Sequence, residues 1–325
     1  MKAIRIHEDG GPEVLRYEEA PDPEPGPDQV LVRLRAASLN HLDIWVRKGL
    51  PSVPKPRILG ADGAGIVEVA GNGFEAGQRV VINPGVIENG RMHVVGEALD
   101  GTHAELVAIT ARNVYPIPDE LSFEEAAAFP LVFETAYRML VTKARLQAGE
   151  TVFVWGIGGG VATAVLAIAK AHGARVIVTS SSDAKLARAR ELGADETIDH
   201  ATEDVRARMK ELTGGRGADV VVETVGDATW KTSLEVAATQ GRIVVCGATT
   251  GPNPPAGLHR IWWKELVVHG STMGSAEDFE ACLELVTSGR ARPVVDEVVP
   301  LAEARAAHER LEAGEQLGKI VFSVG

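Results

Sequence analysis

Trp155-Gly156-Ile157-Gly158-Gly159-Gly160-Val161-Ala162 is the stretch whose reading settles the architecture of this chain. It follows a run of β-branched and aromatic residues, 151–155, and leads into an apolar stretch, 161–172, of helical length. Glycines at such a strand-to-helix turn let the backbone bend tightly and approach a pyrophosphate. The free N–H groups at the start of the helix then stabilise its negative charge. Gly156, Gly159 and Ala162 fit a GxxGxxA spacing, with Ala162 as the small residue that lets helix pack on strand. A glycine cluster alone suits a structural turn equally well. The flanking strand and helix make Gly156, Gly158, Gly159, Gly160 and Val161 candidate dinucleotide-binding residues.

Working outward, strand and helix patterns alternate on the C-terminal side of the loop. Strands are expected at 174–179, 196–199, 219–223, 242–246 and 266–271, and helices at 183–192, 203–212 and 228–239. Six strands joined by crossover helices imply an α/β fold with a Rossmann-type doubly wound parallel sheet. The N-terminal side reads differently. Short strands at 29–36, 65–69, 78–82 and 104–109, separated by Gly and Pro turns, indicate a mostly antiparallel β domain, with the proline-rich 21–27 as a stiff surface turn. Helices at 276–287 and 301–313 precede a last strand, 319–324, that should rejoin the first domain. The expected division is therefore 1–122, 123–272 and the return segment 273–325.

With 33 Lys and Arg against 45 Asp and Glu, the net charge of −12 disfavours nucleic acid and anionic membrane surfaces as partners. No apolar run approaches the roughly 20 residues that span a bilayer. Only Cys246 and Cys282 are present, forming neither a disulfide framework nor a CxxC pair. The first residues alternate like a strand and lack the apolar core of a secretory signal. A cytoplasmic location is expected.

About 20 residues after the glycines, where NAD-binding folds place an acidic residue on the ribose, this chain has Ser180-Ser181-Ser182. Without a carboxylate there, Ser180, Ser181, Lys185 and the next helix N-terminus can hold a 2′-phosphate, which predicts NADP(H) over NAD(H). Two readings compete with this: Ser182 or Asp183 acting only as a helix cap, and Asp183 reaching the ribose itself.

The segments 37–43 (ASLNHLD), 60–65 (GADGAG), 100–105 (DGTHAE), the glycine loop and 318–321 (GKIV) together resemble the medium-chain dehydrogenase/reductase superfamily, in its zinc-free quinone oxidoreductase and alcohol dehydrogenase-like branch. The resemblance spans nearly the whole chain and implies a Rossmann domain inserted in a GroES-like catalytic domain. The positions matching the catalytic zinc ligands of zinc-dependent relatives are Asn40, Ala61 and Leu131, and no cysteine falls in 83–101, where those relatives carry a structural zinc lobe. Alanine and leucine cannot donate to a metal, so no metal site is expected. His41, Asp43, Asp62, His93 and His103 form no HExxH or CxxC pattern that would build another one.

By the same resemblance, Asn40 becomes a candidate donor near substrate oxygen or the nicotinamide ribose, and His41 a pyrophosphate contact or proton relay. Asp62 and Glu134 are candidate acids or orienting groups. A tyrosine that several relatives carry after the Asn-containing segment is replaced here by the neighbourhood of Trp45 and Pro51, leaving the proton donor open. Thr135 is placed against the nicotinamide, with Cys246, Gly247, Ser271 and Met273 near its carboxamide; His200 joins the cofactor-binding set. Cys246 reads as a buried neighbour of the cofactor and not as a nucleophile. Trp155, Trp262 and Trp263 read as packing or interface residues, and 266–271 resembles the segment through which relatives extend their sheet across a two-fold axis, so a homodimer is expected, with a tetramer equally compatible. The implied function is metal-free hydride transfer from NADPH to a quinone, enone or related activated carbonyl compound. A metal-free alcohol or aldehyde dehydrogenase and a non-catalytic NADP(H)-binding sensor or structural protein are the alternatives.

Overall fold

In the computed structural model, which describes residues 1–88 and 90–325, six strands lie side by side in the order Glu196–Asp199, Arg175–Ser180, Thr151–Val154, Ala218–Glu223, Ala237–Val245 and Val267–Gly270, all parallel. Counted along the chain this is 3-2-1-4-5-6, the doubly wound order. Thr151–Val154 and Ala218–Glu223 are buried at every residue, as central strands covered on both faces must be, which explains their unbroken apolar runs. Phe153, Ile177, Ile198, Val221 and Ile243 are among the residues at the core of this layer. The sheet belongs to a unit made of residues 133–282 and 289–291.

Residues 228–239, expected as one helix, divide into the helix Trp230–Val236 and the strand Ala237–Val245. The parallel ladder pairs Ala237 with Ala218, and that pairing takes the residue from the helix. The ladder then shifts register, and Gln240 adopts a φ of +61° before Gly241.

The other unit comprises residues 1–132, 283–288 and 292–325. Its larger sheet runs Val114–Pro116, Arg79–Ile82, Asp62–Val67, Gln29–Ser38, Lys319–Ser323 and Val295–Pro300, with Leu106–Thr110 also paired to Gln29–Ser38. These pairings are antiparallel apart from the last, between Val295–Pro300 and Lys319–Ser323. Alternation along Gln29–Ser38 sends Val30, Val32 and Leu34 into the core. Register then decides what meets at the end of that strand: Ser38 pairs with Asp62 on one side and Val321 on the other, which brings Lys319 to the same place. The late strand thus rejoins the N-terminal β structure.

The hairpin Gly85–Glu88 and Arg91–Val94 occupies the stretch in which the resemblance locates a lost zinc lobe; Asn89 lies outside the described residues. Among the described residues no helix is long and apolar enough to cross a membrane.

Candidate functional site

The glycine loop is fixed from below by the neighbouring strand. Gly156 N–H donates to Thr179 Oγ1 at 3.1 Å, and Ile157 N–H to the Thr179 carbonyl at 2.8 Å. Gly156 has φ +62°, a backbone region glycine enters freely and other residues enter only under strain. Helix Gly160–Ala171 begins without a side-chain cap at Gly159, and Ala162 packs inside. Its ladder starts with Thr163 N–H on the Gly159 carbonyl, so the N–H groups of Gly160, Val161 and Ala162 have no intrahelical acceptor. A Cβ added at Gly156 or Gly159 would meet nothing within 4 Å, so space is open at both positions, while Gly158 is buried. Free N–H groups, a helix N-terminus and a side-chain-free approach fit a pyrophosphate.

Ser180 is buried at the end of its strand, and its hydroxyl oxygen accepts the Ser182 N–H at 3.1 Å. Ser182 caps helix Asp183–Glu191 by accepting the Lys185 N–H, so the capping reading of Ser182 is realised. Ser181 and Asp183 are exposed, and Lys185 is half-buried in the first turn. His200 is exposed, with Nδ1 3.1 Å from Thr179 Oγ1, and desolvation by the surrounding protein lowers its pKa against the opposing pull of Asp199. It shares with Trp155, Gly156, Arg206, Val225 and Thr229 the wall of a cavity of about 560 Å³.

At the far side of the same sheet, Ser271 follows the last strand; its buried hydroxyl has no hydrogen-bond partner among the described residues, which suits it to a polar ligand edge. Met273 adopts φ +50°. Gly274 N–H donates to Glu134 Oε1 at 2.8 Å, and a Cβ at 274 would fall 2.2 Å from Glu134 Cγ. Glu134 is therefore held by a turn that tolerates only glycine. Thr135, next to it in helix Pro130–Tyr137, is buried. Gly247 and Cys246 are half-buried; burial, then the Glu223 charge, pushes the Cys246 thiol up to about 12, which removes it as a nucleophile.

In the first unit, the residues brought together by register form a buried polar cluster around Asp62. Asp62 Oδ2 accepts Asn40 Nδ2–H at 2.9 Å, Ser38 Oγ–H at 3.1 Å and Lys319 Nζ–H at 3.1 Å, while Oδ1 accepts the Leu131 N–H at 2.9 Å. Lys319 also donates to Asn40 Oδ1 at 2.5 Å. Lys319, Asn40 and Asp62 are all at most 4% exposed. Asp62, with its oxygens engaged by four donors, orients its neighbours; Asn40 keeps a second amide hydrogen beyond the one it gives Asp62. Asn40 N–H donates to Asp43 Oδ2 at 2.7 Å at the start of helix His41–Arg47, and Asp43 Oδ1 accepts the Gly60 N–H at 2.9 Å. Asp43 is thus a backbone clamp. His41 is exposed at the helix start, and surrounding protein followed by the Lys319 charge lowers its pKa. His103, buried edge-on against Phe322, has Nε2 3.3 Å from the Ser38 carbonyl.

Lys319 is the member of this cluster that motif reading passes over. Its signal was present: a lysine opening an otherwise apolar strand that is buried through residue 322. Among the described residues, no three His, Cys, Asp or Glu side chains converge as a metal site. The positions matched to zinc ligands instead supply an amide, a buried methyl and a backbone N–H, none of them a soft donor.

Comparison with known proteins bears on both units. The alcohol dehydrogenase GroES-like domain matches residues 26–119, and the zinc-binding dehydrogenase family matches 160–288, a span that contains none of positions 40, 61 and 131. A quinone oxidoreductase of Pseudomonas aeruginosa is 36% identical over 99% of both chains. A crystal structure described as an NAD-dependent alcohol dehydrogenase superposes with a TM-score of 0.96 at 43% identity over the full length of both chains. The 2-octenoyl-CoA carboxylase reductase CinF, in complex with NADP and 2-octenoyl-CoA, matches at 27% identity and TM-score 0.90 over 99% of this chain and 87% of that one.

Proposed function

The chain belongs to the medium-chain dehydrogenase/reductase superfamily, in its quinone oxidoreductase-like branch, and from that premise we propose that it transfers a hydride from NADPH to a quinone, enone or related activated carbonyl compound without a metal. The observation that carries the reading is the Asn40–Asp62–Lys319 cluster. Where zinc relatives would polarise an oxygen with a metal, this chain has a buried ammonium bonded to the carbonyl of Asn40. That contact polarises the amide and strengthens its remaining N–H as a donor toward a developing oxyanion. The reduced nicotinamide supplies the hydride when bound. In a conjugated acceptor the arriving charge spreads to an oxygen, which neutral donors can stabilise. His41, whose lowered pKa keeps it neutral near pH 7, is suited to relaying a proton.

The glycine loop would hold the pyrophosphate, and Ser180, Ser181 and Lys185 would face the adenosine ribose with no carboxylate to repel a 2′-phosphate. The relative described as an NAD-dependent alcohol dehydrogenase favours a second reading, NADH-linked carbonyl reduction on the same cluster. For assembly we infer a homodimer, since Val267 and Val268 on the edge strand Val267–Gly270 are exposed, as are Trp262 and Trp263 shortly before it in the chain.

Steady-state oxidation of NADPH and NADH with a quinone, an enone and an aldehyde, on chelator-treated protein assayed for metal, tests the proposal. Turnover of quinone or enone by metal-free protein, with NADPH preferred, is the expected result. Stoichiometric zinc together with aldehyde activity lost on chelation would overturn it.

A further inference from the structure

We propose that Glu223, which has no part in the hydride chemistry above, is a positioning residue that shapes the dinucleotide cavity by holding two of its walls at once. The inference rests on the dinucleotide reading of the glycine loop. In the strand order 3-2-1-4-5-6 the direction in which successive strands are added reverses between Thr151–Val154 and Ala218–Glu223, and ligands of doubly wound sheets bind in the crevice at that switch point. The loops leaving these two strands both line the cavity, one through Trp155 and Gly156, the other through Val225 and Thr229.

Glu223 is the last residue of the fourth strand and is fully buried. Its Oε1 accepts the N–H groups of Val225 at 2.8 Å and Gly226 at 3.0 Å and the Thr229 hydroxyl at 2.8 Å, fixing its own loop. Its Oε2 accepts the Ser233 hydroxyl at 2.5 Å, and Ser233 Oγ accepts the Trp155 indole N–H at 2.8 Å. The direction of this relay is forced. An indole nitrogen can only donate, so Ser233 must receive from Trp155, and its single hydrogen then needs an acceptor, which Oε2 supplies. A glutamine of the same shape cannot serve: with its oxygen turned to the loop N–H groups, its NH2 faces Ser233 and leaves the serine hydrogen unpaired. Every partner of the carboxylate named here is a neutral donor, so its charge strengthens each bond instead of being cancelled by a cation. Held this way, Trp155 stands edge-on to Phe153 at 5.0 Å and 6.2 Å from His200 across the cavity wall.

The test is a double-mutant cycle on the full-length enzyme with Ser233→Ala and Trp155→Phe, with Glu223→Gln as a third variant. NADPH binding is measured by equilibrium titration and turnover with a benzoquinone. Each variant should raise the Kd and KM for NADPH about tenfold, leaving kcat at saturating NADPH and the KM for quinone within about twofold. The double variant should be no worse than either single, because both break one relay. Unchanged NADPH affinity in Ser233→Ala, or losses that multiply in the double variant, overturns the proposal even if Glu223→Gln does not fold. Wild-type protein that binds neither NADPH nor NADH overturns it too, and that result alone also removes the dinucleotide reading beneath it.

Discussion

The glycine loop of the second unit is built from eight consecutive residues, 155–162, whereas the cluster of the first unit gathers side chains from positions 38, 40, 62 and 319 and a backbone N–H from 131. The loop works with backbone: free N–H groups, a positive φ and open space. The cluster works with charge: one buried ammonium and one buried carboxylate, each satisfied by its neighbours. A backbone site is defined by where side chains are missing, and it tolerates only what keeps them missing. A charge-paired site is defined by mutual need, so removing one member leaves the rest worse off than if none had been there.

The sharpest way to break this contrast is Lys319→Met. It strands the Asp62 carboxylate, and we expect a loss of about 3–5 kcal/mol in urea-unfolding stability together with a fall of about 10²–10³ in kcat/KM. Adding Asp62→Asn should return much of the stability and none of the activity; recovery of both would show that the pair is only structural. A second effect, smaller, belongs to the same unit. His308 is buried with its pKa held well below the ordinary histidine value by burial, then by His103 and Arg47, and burial lowers that of His103 as well. For groups whose folded pKa is depressed, the unfolded chain binds protons first as pH falls. Stability is therefore full above about pH 6.5 and lost below it, by about 2 kcal/mol from His308 alone between pH 8 and pH 5. Urea midpoints across that range check the sign, and a flat profile in wild type would refute it.

For the loop, Gly156→Val forces a branched side chain into φ +62° and toward the open approach, so the KM for NADPH should rise about 5- to 30-fold while the KM for quinone holds. A matching rise in both would mean that the two sites are not separable as described. The smallest expected effect is Ser180→Asp, which should shift the ratio of kcat/KM for NADPH over NADH toward NADH by about tenfold, read in paired assays.

The loop was legible because its chemistry is local: glycines, a preceding strand and a following helix are contiguous in the sequence. The six-stranded sheet followed from the same kind of signal, since each central strand is a short apolar run between turn residues. The cluster was only half legible. Asn40 and Asp62 stand out through the segments that carry the family resemblance, but the meaning of Lys319 depends on register, on Val321 lying opposite Ser38, and register is not written in any one segment. The same limit explains 228–239, where helical period suggests one helix and a ladder partner far upstream, Ala218, claims Ala237 instead. Ser182 shows a third case, a hydroxyl taken up by its local capping role while Ser180 and Ser181 beside it stay the ligand candidates.

The strand Lys319–Ser323 lies between Gln29–Ser38 and Val295–Pro300, so the first unit is completed by a segment made 279 residues after Asn40. At translation rates of about 5–20 residues per second, Asn40 and Asp62 wait roughly 15–60 s for their ammonium partner. Throughout that interval the nascent chain carries a buried-site carboxylate with no counter-charge and a sheet with an open seam along Gln29–Ser38. The other unit, made of later but more contiguous residues, can close during the wait. Biogenesis of this enzyme therefore runs against its numbering: the region synthesised first is the one that matures last.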